Sequence, residues 1–158
     1  MMFSARKPRS SGRGGAHAPK GQQKLQALRA QDLLTIEAWR GGFKRRGEKY
    51  EDGSASPGRR FVLTLYAGFL RGARETPETT TTALRAMAAN MRPPYPSDPP
   101  GEDPPIESIV EAEFASKTRR WGNEKLCKLL RITAAEARGL ANAYHHAGFI
   151  GANRQTRI

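Results

Sequence analysis

Leu25, Leu28, Leu33, Ile36 and Trp39 recur at close to helical spacing and predict a first helix over residues 22–39, stopped by Gly41-Gly42. Residues 59–74 are the most apolar stretch of the chain. Phe61, Val62, Leu65, Tyr66, Phe69 and Leu70 cover a wide helical face there, which predicts the centre of the core. Thr76-Pro77-Glu78 is a helix-start signal: a capping threonine, a proline at the first helical position and an acid in the first turn. The helix it opens should reach about Asn90 and bury Leu84, Met87 and Ala88. Residues 105–116 place Ile106, Ile109, Val110 and Phe114 on one face of a further helix.

The last forty residues carry the clearest local signal. Asn123 can cap a helix bearing Leu126, Leu129 and Leu130, with Cys127 among the leucines as a small core residue. Arg131-Ile132 make a short turn, and Thr133-Ala134-Ala135-Glu136 has the form of a capping box. The second helix is expected to continue through Ala137 and Leu140 to about His146, with Gly148 as its stop and Phe149 and Ile150 folding back on its end. Two helices, a short turn and a leucine ladder are the layout of a helix-turn-helix, whose second helix enters the major groove. In that reading, centred on Thr133, the small Ala134, Ala135 and Gly139 permit close approach, and Arg138 and Asn142 read base edges. Lys125, Lys128, Arg131, Arg119 and Arg120 would hold phosphates. An ordinary helical hairpin or a protein-docking surface would carry the same leucines.

The polar gaps complete the layout. The first 21 residues hold Gly, Ser, Pro, Arg and Lys and almost nothing to bury, so they read as disordered. From Met1 to Gln31 there are seven basic residues, Arg6, Lys7, Arg9 and Arg13 among them, and no acidic one; such an arm can track phosphates without a fold. Residues 92–105 contain seven prolines and predict an extended connector. Six acids and one base fall between Arg92 and Ser116, an acidic strap that either faces away from a nucleic acid or competes with it for the basic surfaces. The predicted fold is mainly α: a small helical domain of five to six helices with a C-terminal helix-turn-helix and a disordered basic N-terminal arm. It divides into a tail (1–21), a helical core (22–92), a proline-rich acidic linker (93–105) and the helix-turn-helix-like region (106–158).

Composition then narrows the partner. Of 158 residues, 37% are hydrophobic, below the usual globular share, and the formal net charge is +12 with a pI near 10.6. That imbalance costs self-repulsion in a compact chain, which an anionic partner offsets, and nucleic acid presents the densest regular line of charge. A membrane surface would need a basic amphipathic helix or a lipid signal; Met2 excludes N-myristoylation, and Arg157-Ile158 is no prenylation box. No segment approaches the ~20 apolar residues of a span, and Arg6, Lys7 and Arg9 are followed by no apolar run, so neither membrane nor secretory signal is expected. The single cysteine rules out an intrachain disulfide and points to a reducing, cytoplasmic setting, nucleoid-associated if the partner is DNA.

A second basic cluster, Lys44, Arg45 and Arg46, lies between Phe43 and Tyr50 and can contact a nucleic-acid backbone while the aromatics stack on bases. The alternative is a solvated loop anchored by Phe43 and Tyr50. Residues 42–49 lack the Gly-x4-Gly-Lys-Ser/Thr form of a P-loop, no paired carboxylates suit metal-dependent nucleotidyl transfer, and no Ser/His/Asp grouping stands out. His145 and His146 are adjacent and have no Cys or acidic partner at ligand spacing. No catalytic residue, metal or cofactor is expected.

The middle of the chain resembles the helical primase C-terminal domain of replication proteins in plasmids, phages and other mobile elements. The match is Arg59-Arg60, Leu63 and Tyr66-Ala67-Gly68-Phe69-Leu70-Arg71, then Leu84 through Asn90 before Pro93-Pro94, then Ile109-Val110, about a third of the chain. Arg60 stands where that family has Asn, the proline segment is longer, and the polymerase and helicase domains that normally accompany the module are absent. The resemblance implies a replication-linked accessory or remnant rather than a primase. The expected function is a non-enzymatic DNA-binding protein of replication or its control, with DNA ahead of RNA as partner and replication proteins as candidate associates. The rival readings are an RNA- or ribosome-associated basic protein and a protein-interaction module.

Overall fold

The computed structural model describes residues 20–97, 103–116 and 122–140, which form six α-helices and, among the described residues, no strand. The small all-α fold is as expected. α1 (Lys20–Arg40) turns Ala30, Leu33 and Ile36 into the core. It also buries Arg29, Asp32 and Glu37, while Leu34 and Trp39 stay exposed at 41% and 47%. The apolar face read from periodicity, which included Trp39, is therefore rotated, because polar residues occupy part of the buried side. Gly41 and Gly42 end the helix at φ 70° and 98°. A Cβ on Gly42 would lie 2.1 Å from the Asn90 carbonyl oxygen, so only glycine lets the chain pass the end of α3 there.

α2 (Arg59–Gly72) is the central helix and packs against α1, α3 and α4. Val62, Leu63, Leu65, Tyr66, Ala67 and Phe69 are buried along it. α3 (Pro77–Ala89) begins as its sequence predicts: Thr76 caps it, and Thr76 and Thr79 exchange side-chain-to-backbone hydrogen bonds of 3.1 Å with Pro77 at the first position. Thr80, Leu84, Met87 and Ala88 face inward.

The connector after α3 is irregular, as its prolines require, but it is not merely a spacer. Met91 and Tyr95 sink into the core, and the Tyr95 hydroxyl donates to the Pro104 carbonyl at 2.6 Å. Arg59, buried at the start of α2, donates to the carbonyls of Pro93 and Pro94 at 2.8 and 3.1 Å and to Asp103 Oδ2 at 2.9 Å. Its guanidinium also sits 5.2 Å from the Tyr95 ring centroid. α4 (Ile106–Ala115), which the sequence division grouped with the C-terminal hairpin, packs on α2 and α3 through Ile106, Ile109 and Val110. Arg71 of α2 ties down its end by donating to the carbonyls of Glu113 and of Ser116, the latter at 2.7 Å. α5 (Asn123–Leu130) and α6 (Ala134–Gly139) add Leu126, Cys127, Leu130 and Ala137 to the same core, joined by Ile132 of the turn between them and Leu140 just after α6. No described helix is long and apolar enough to cross a membrane.

Candidate nucleic-acid interface

α5, its turn and α6 build the site the sequence singled out. α5 has eight residues, with Gly122 at its N-cap; Asn123 is the first helical residue and not the cap, because the backbone is already helical there. The turn is a Schellman motif. Ile132 N–H donates to the Cys127 carbonyl at 3.0 Å and Arg131 N–H to the Lys128 carbonyl at 3.1 Å, with Arg131 left-handed at φ 56°, ψ 47°. Glycine is the usual residue there; arginine bears a strain of about 1 kcal/mol that the buried Ile132 offsets by fixing the turn. The capping box is present: Thr133 Oγ1 accepts from Glu136 N–H at 3.1 Å, and Glu136 Oε1 accepts from Thr133 N–H at 3.0 Å.

α6 is shorter than expected. It ends at Gly139, and Leu140 is extended at φ −80°, ψ 130°; the stretch expected to carry the helix on to His146 lies outside the described residues. Glycine is the weakest helix former after proline, and the buried Leu140 side chain anchors this end. Arg138 lies in the last turn of α6, and its side chain is outside the described residues. Asn142, Arg119, Arg120, Arg6, Lys7, Arg9 and Arg13 also fall outside them, as do His145, His146 and Gly148.

Lys125, Lys128, Arg131 and Ala135 are exposed, while Leu126, Leu130, Ile132 and Ala137 are buried behind them. Lys128 lies 4.0 Å from Glu124 in an exposed i,i+4 pair, too weak to hold it from a phosphate. The hairpin is fixed to the bundle by a contact the sequence did not reveal. Arg40, at the end of α1, pairs with both carboxylate oxygens of Glu136 at 2.7 and 2.8 Å and donates to the Arg131 carbonyl at 3.0 Å. The same guanidinium lies 5.2 Å from the Tyr50 ring and 5.7 Å from that of Phe43. Burial pulls its pKa down, but the Glu136 carboxylate outweighs that and raises it. Only the charged arginine suits this place.

The second predicted cluster is divided. Phe43 and Tyr50 are buried, so they anchor the loop and cannot stack on bases. The Tyr50 hydroxyl donates to Ser56 Oγ at 3.1 Å and accepts from Lys44 N–H at 3.2 Å. Lys44 is half-buried; its Nζ donates to the Lys49 carbonyl at 2.7 Å and sits over the Tyr50 ring, which commits it to the loop. Arg45 and Arg46 remain exposed.

These two arginines come together with residues that sequence reasoning missed. An open groove of about 950 Å³ runs beside α2, lined by Arg45, Arg46, Arg60 and Arg71 and also by Arg131 of the α5–α6 turn. The signal available in the sequence was Arg60 and Arg71 flanking the apolar run of α2, but nothing there indicated that distant arginines meet them. Among the described residues no group of three or more His, Cys, Asp or Glu is arranged to hold a metal ion. Comparison with protein-family models, with curated proteins and with solved structures found no match to this chain.

Proposed function

We propose that this protein binds DNA without catalysing a reaction on it, through the α5–turn–α6 unit. The observation that carries the reading is the form of that unit. An eight-residue helix, a left-handed residue and a capping box give two helices in fixed relation, with leucines inward and Lys125, Lys128 and Arg131 outward. Those cations suit phosphate contact; Arg138, in the last turn of α6, is proposed to reach base edges, and Asn142, the second residue read for that role, lies beyond the end of α6. The net charge of +12 supports an anionic partner.

The resemblance to primase C-terminal domains supports a role in replication or its control in a mobile element, with association at the nucleoid. Its opening Arg59 and its Pro93-Pro94 element touch through two hydrogen bonds. The rival RNA reading loses its stacking aromatics to the core, since Phe43 and Tyr50 are buried.

Fluorescence anisotropy of labelled random duplex DNA across a salt series tests the reading. Saturable binding that weakens steeply with salt, and at least about tenfold in the Lys125→Glu, Lys128→Glu double variant, is the expected result. Absence of duplex binding at low salt, or binding indifferent to that double variant, would overturn it.

A further inference from the structure

The groove beside α2 has two kinds of wall. Phe61, Leu65 and Phe69 of α2 and Leu129 of α5 supply apolar surface, and Phe61 is half-buried. Around them stand six arginines against two carboxylates, Asp103 and Glu113. Arg59 is committed to Asp103 and the proline carbonyls, and Arg71 to the end of α4. The other four come from three separate parts of the chain. The side chains of Arg46, Arg60 and Arg131 are exposed and make no hydrogen bond or ion pair among the described residues. Arg45 is exposed with one long contact, 3.3 Å to Ser97 Oγ.

The backbone is shaped to bring them there. Gly58, at φ 107°, precedes α2, and a Cβ on it would lie 3.1 Å from Cβ of Arg46. Glycine at that position lets the Arg45-Arg46 loop close onto the start of the helix. Gathering four guanidinium groups, none in an ion pair among the described residues, around one concavity costs mutual repulsion, which an anionic occupant removes. The apolar wall selects among anions. Free phosphate would leave it wet, and a duplex keeps its base faces stacked inside. An unpaired strand offers both chemistries at once: phosphates for arginines, and base faces for an aromatic ring and aliphatic side chains. α2 spans fourteen residues, or about 20 Å at the helical rise, so the groove suits an extended strand better than one nucleotide.

We propose that this groove binds single-stranded nucleic acid, with Arg45, Arg46, Arg60 and Arg131 on its phosphates and Phe61 beneath a base. The site is separate from the duplex-binding face, since Lys125 and Lys128 do not line it. Arg131 alone serves both. A protein that holds a duplex with one face and an unpaired strand with the other is suited to a junction where a duplex is opened.

The test is anisotropy of the full chain with a labelled deoxy strand of about 12 nucleotides, the matching ribo strand and the matching duplex. Arg46→Glu, Arg60→Glu and Phe61→Leu are compared with the Lys125→Glu, Lys128→Glu double variant. Each groove variant is expected to weaken single-strand binding at least about fivefold and leave duplex binding within about twofold, and the double variant to do the reverse. Binding of either sugar form with that pattern supports the site. Single-strand affinity unchanged in the groove variants overturns it, and so does a polyglutamate peptide that binds as tightly and is lost in the same variants. A photo-crosslinking strand bearing 5-iodouracil, used with the unsubstituted protein, needs no variant to fold. Crosslinks at Phe61 support the proposal, and crosslinks confined to α5 and α6 overturn it. Loss of duplex binding alone would sink the helix-turn-helix reading and leave this one standing.

Discussion

Glu37 and Glu136 show how differently the same side chain behaves in two places, one buried and one half-buried. Glu136 faces Arg40 and is paired at both oxygens. Glu37 lies 5% exposed on the inner side of α1, and its Oε2 has no hydrogen-bond partner among the described residues. Burial pushes its pKa from 4.5 up to about 7, and its field, after burial, helps to raise that of the Tyr66 hydroxyl. The folded protein therefore holds the Glu37 proton more tightly than the unfolded chain does. The resulting penalty is absent below pH 4.5, grows between 4.5 and 7, and is complete above 7. Urea unfolding should find the protein less stable at pH 8 than at pH 5 by at most about 3 kcal/mol, and Glu37→Gln should abolish most of that difference. A wild-type stability that rises over this interval and is unchanged by the substitution would contradict the assignment. Cys127 makes the companion case: burial among the leucines pushes its thiol up to about 11, with Arg29 pulling weakly the other way. At pH 8 it should react with a disulfide reagent only after denaturant is added, because the thiolate is the nucleophile.

At the scale of elements, the termini that sequence predicted well are those where one side chain decides the geometry. Thr76 and Thr133 each close a capping box, and both start their helices where expected. The ends that side-chain pattern does not locate are those where backbone or packing decides: Gly122 takes the cap position from Asn123, and α6 closes at Gly139, where Leu140 is extended and buried. The Phe43–Tyr50 segment was open to two readings in the sequence, and aromatic composition could not separate a stacking surface from an anchor. The bonds of Tyr50 to Lys44 and Ser56 decide for the anchor. The groove was illegible for a different reason: periodicity reports one helix at a time, and residues 45, 60 and 131 meet only through tertiary packing. Arg131 allows a test that separates turn geometry from charge. Arg131→Gly relieves the left-handed strain and should hold or raise thermal stability, by up to about 1 kcal/mol. The same change should weaken binding of both duplex and single strand, since the guanidinium is gone. Arg40→Ala should behave in the opposite way, costing about 3–5 kcal/mol by leaving Glu136 charged and unpaired in a partly buried place. A denaturation midpoint that barely moves in Arg40→Ala would show that the hairpin is held by its leucines alone.

Across the whole molecule, charge is distributed by sequence region more than by fold. The chain segment 92–116 is acidic, and its acids are in part already taken: Asp103 pairs with the buried Arg59, and Glu107 with Arg85 of α3. The strap thus neutralises bases of the bundle, Arg59 and Arg85, and in these two pairs takes no cation from α5. The N-terminal residues add Arg6, Lys7, Arg9 and Arg13 with no compensating acid. Each phosphate neutralised releases condensed counterion, so the slope of log K against log salt counts contacts at about 0.9 per contact on a duplex. Lys125, Lys128 and Arg131 alone should give a slope near −3. If the arm lies on the backbone, removing residues 1–19 should flatten the duplex slope by up to about 4 units and slow association, with little change in which sequences are preferred. A slope unchanged by that truncation would mean that the arm touches no phosphate and that the folded cations carry binding by themselves. The comparison is informative only within one salt series, because a high-salt measurement alone would hide the arm's whole contribution.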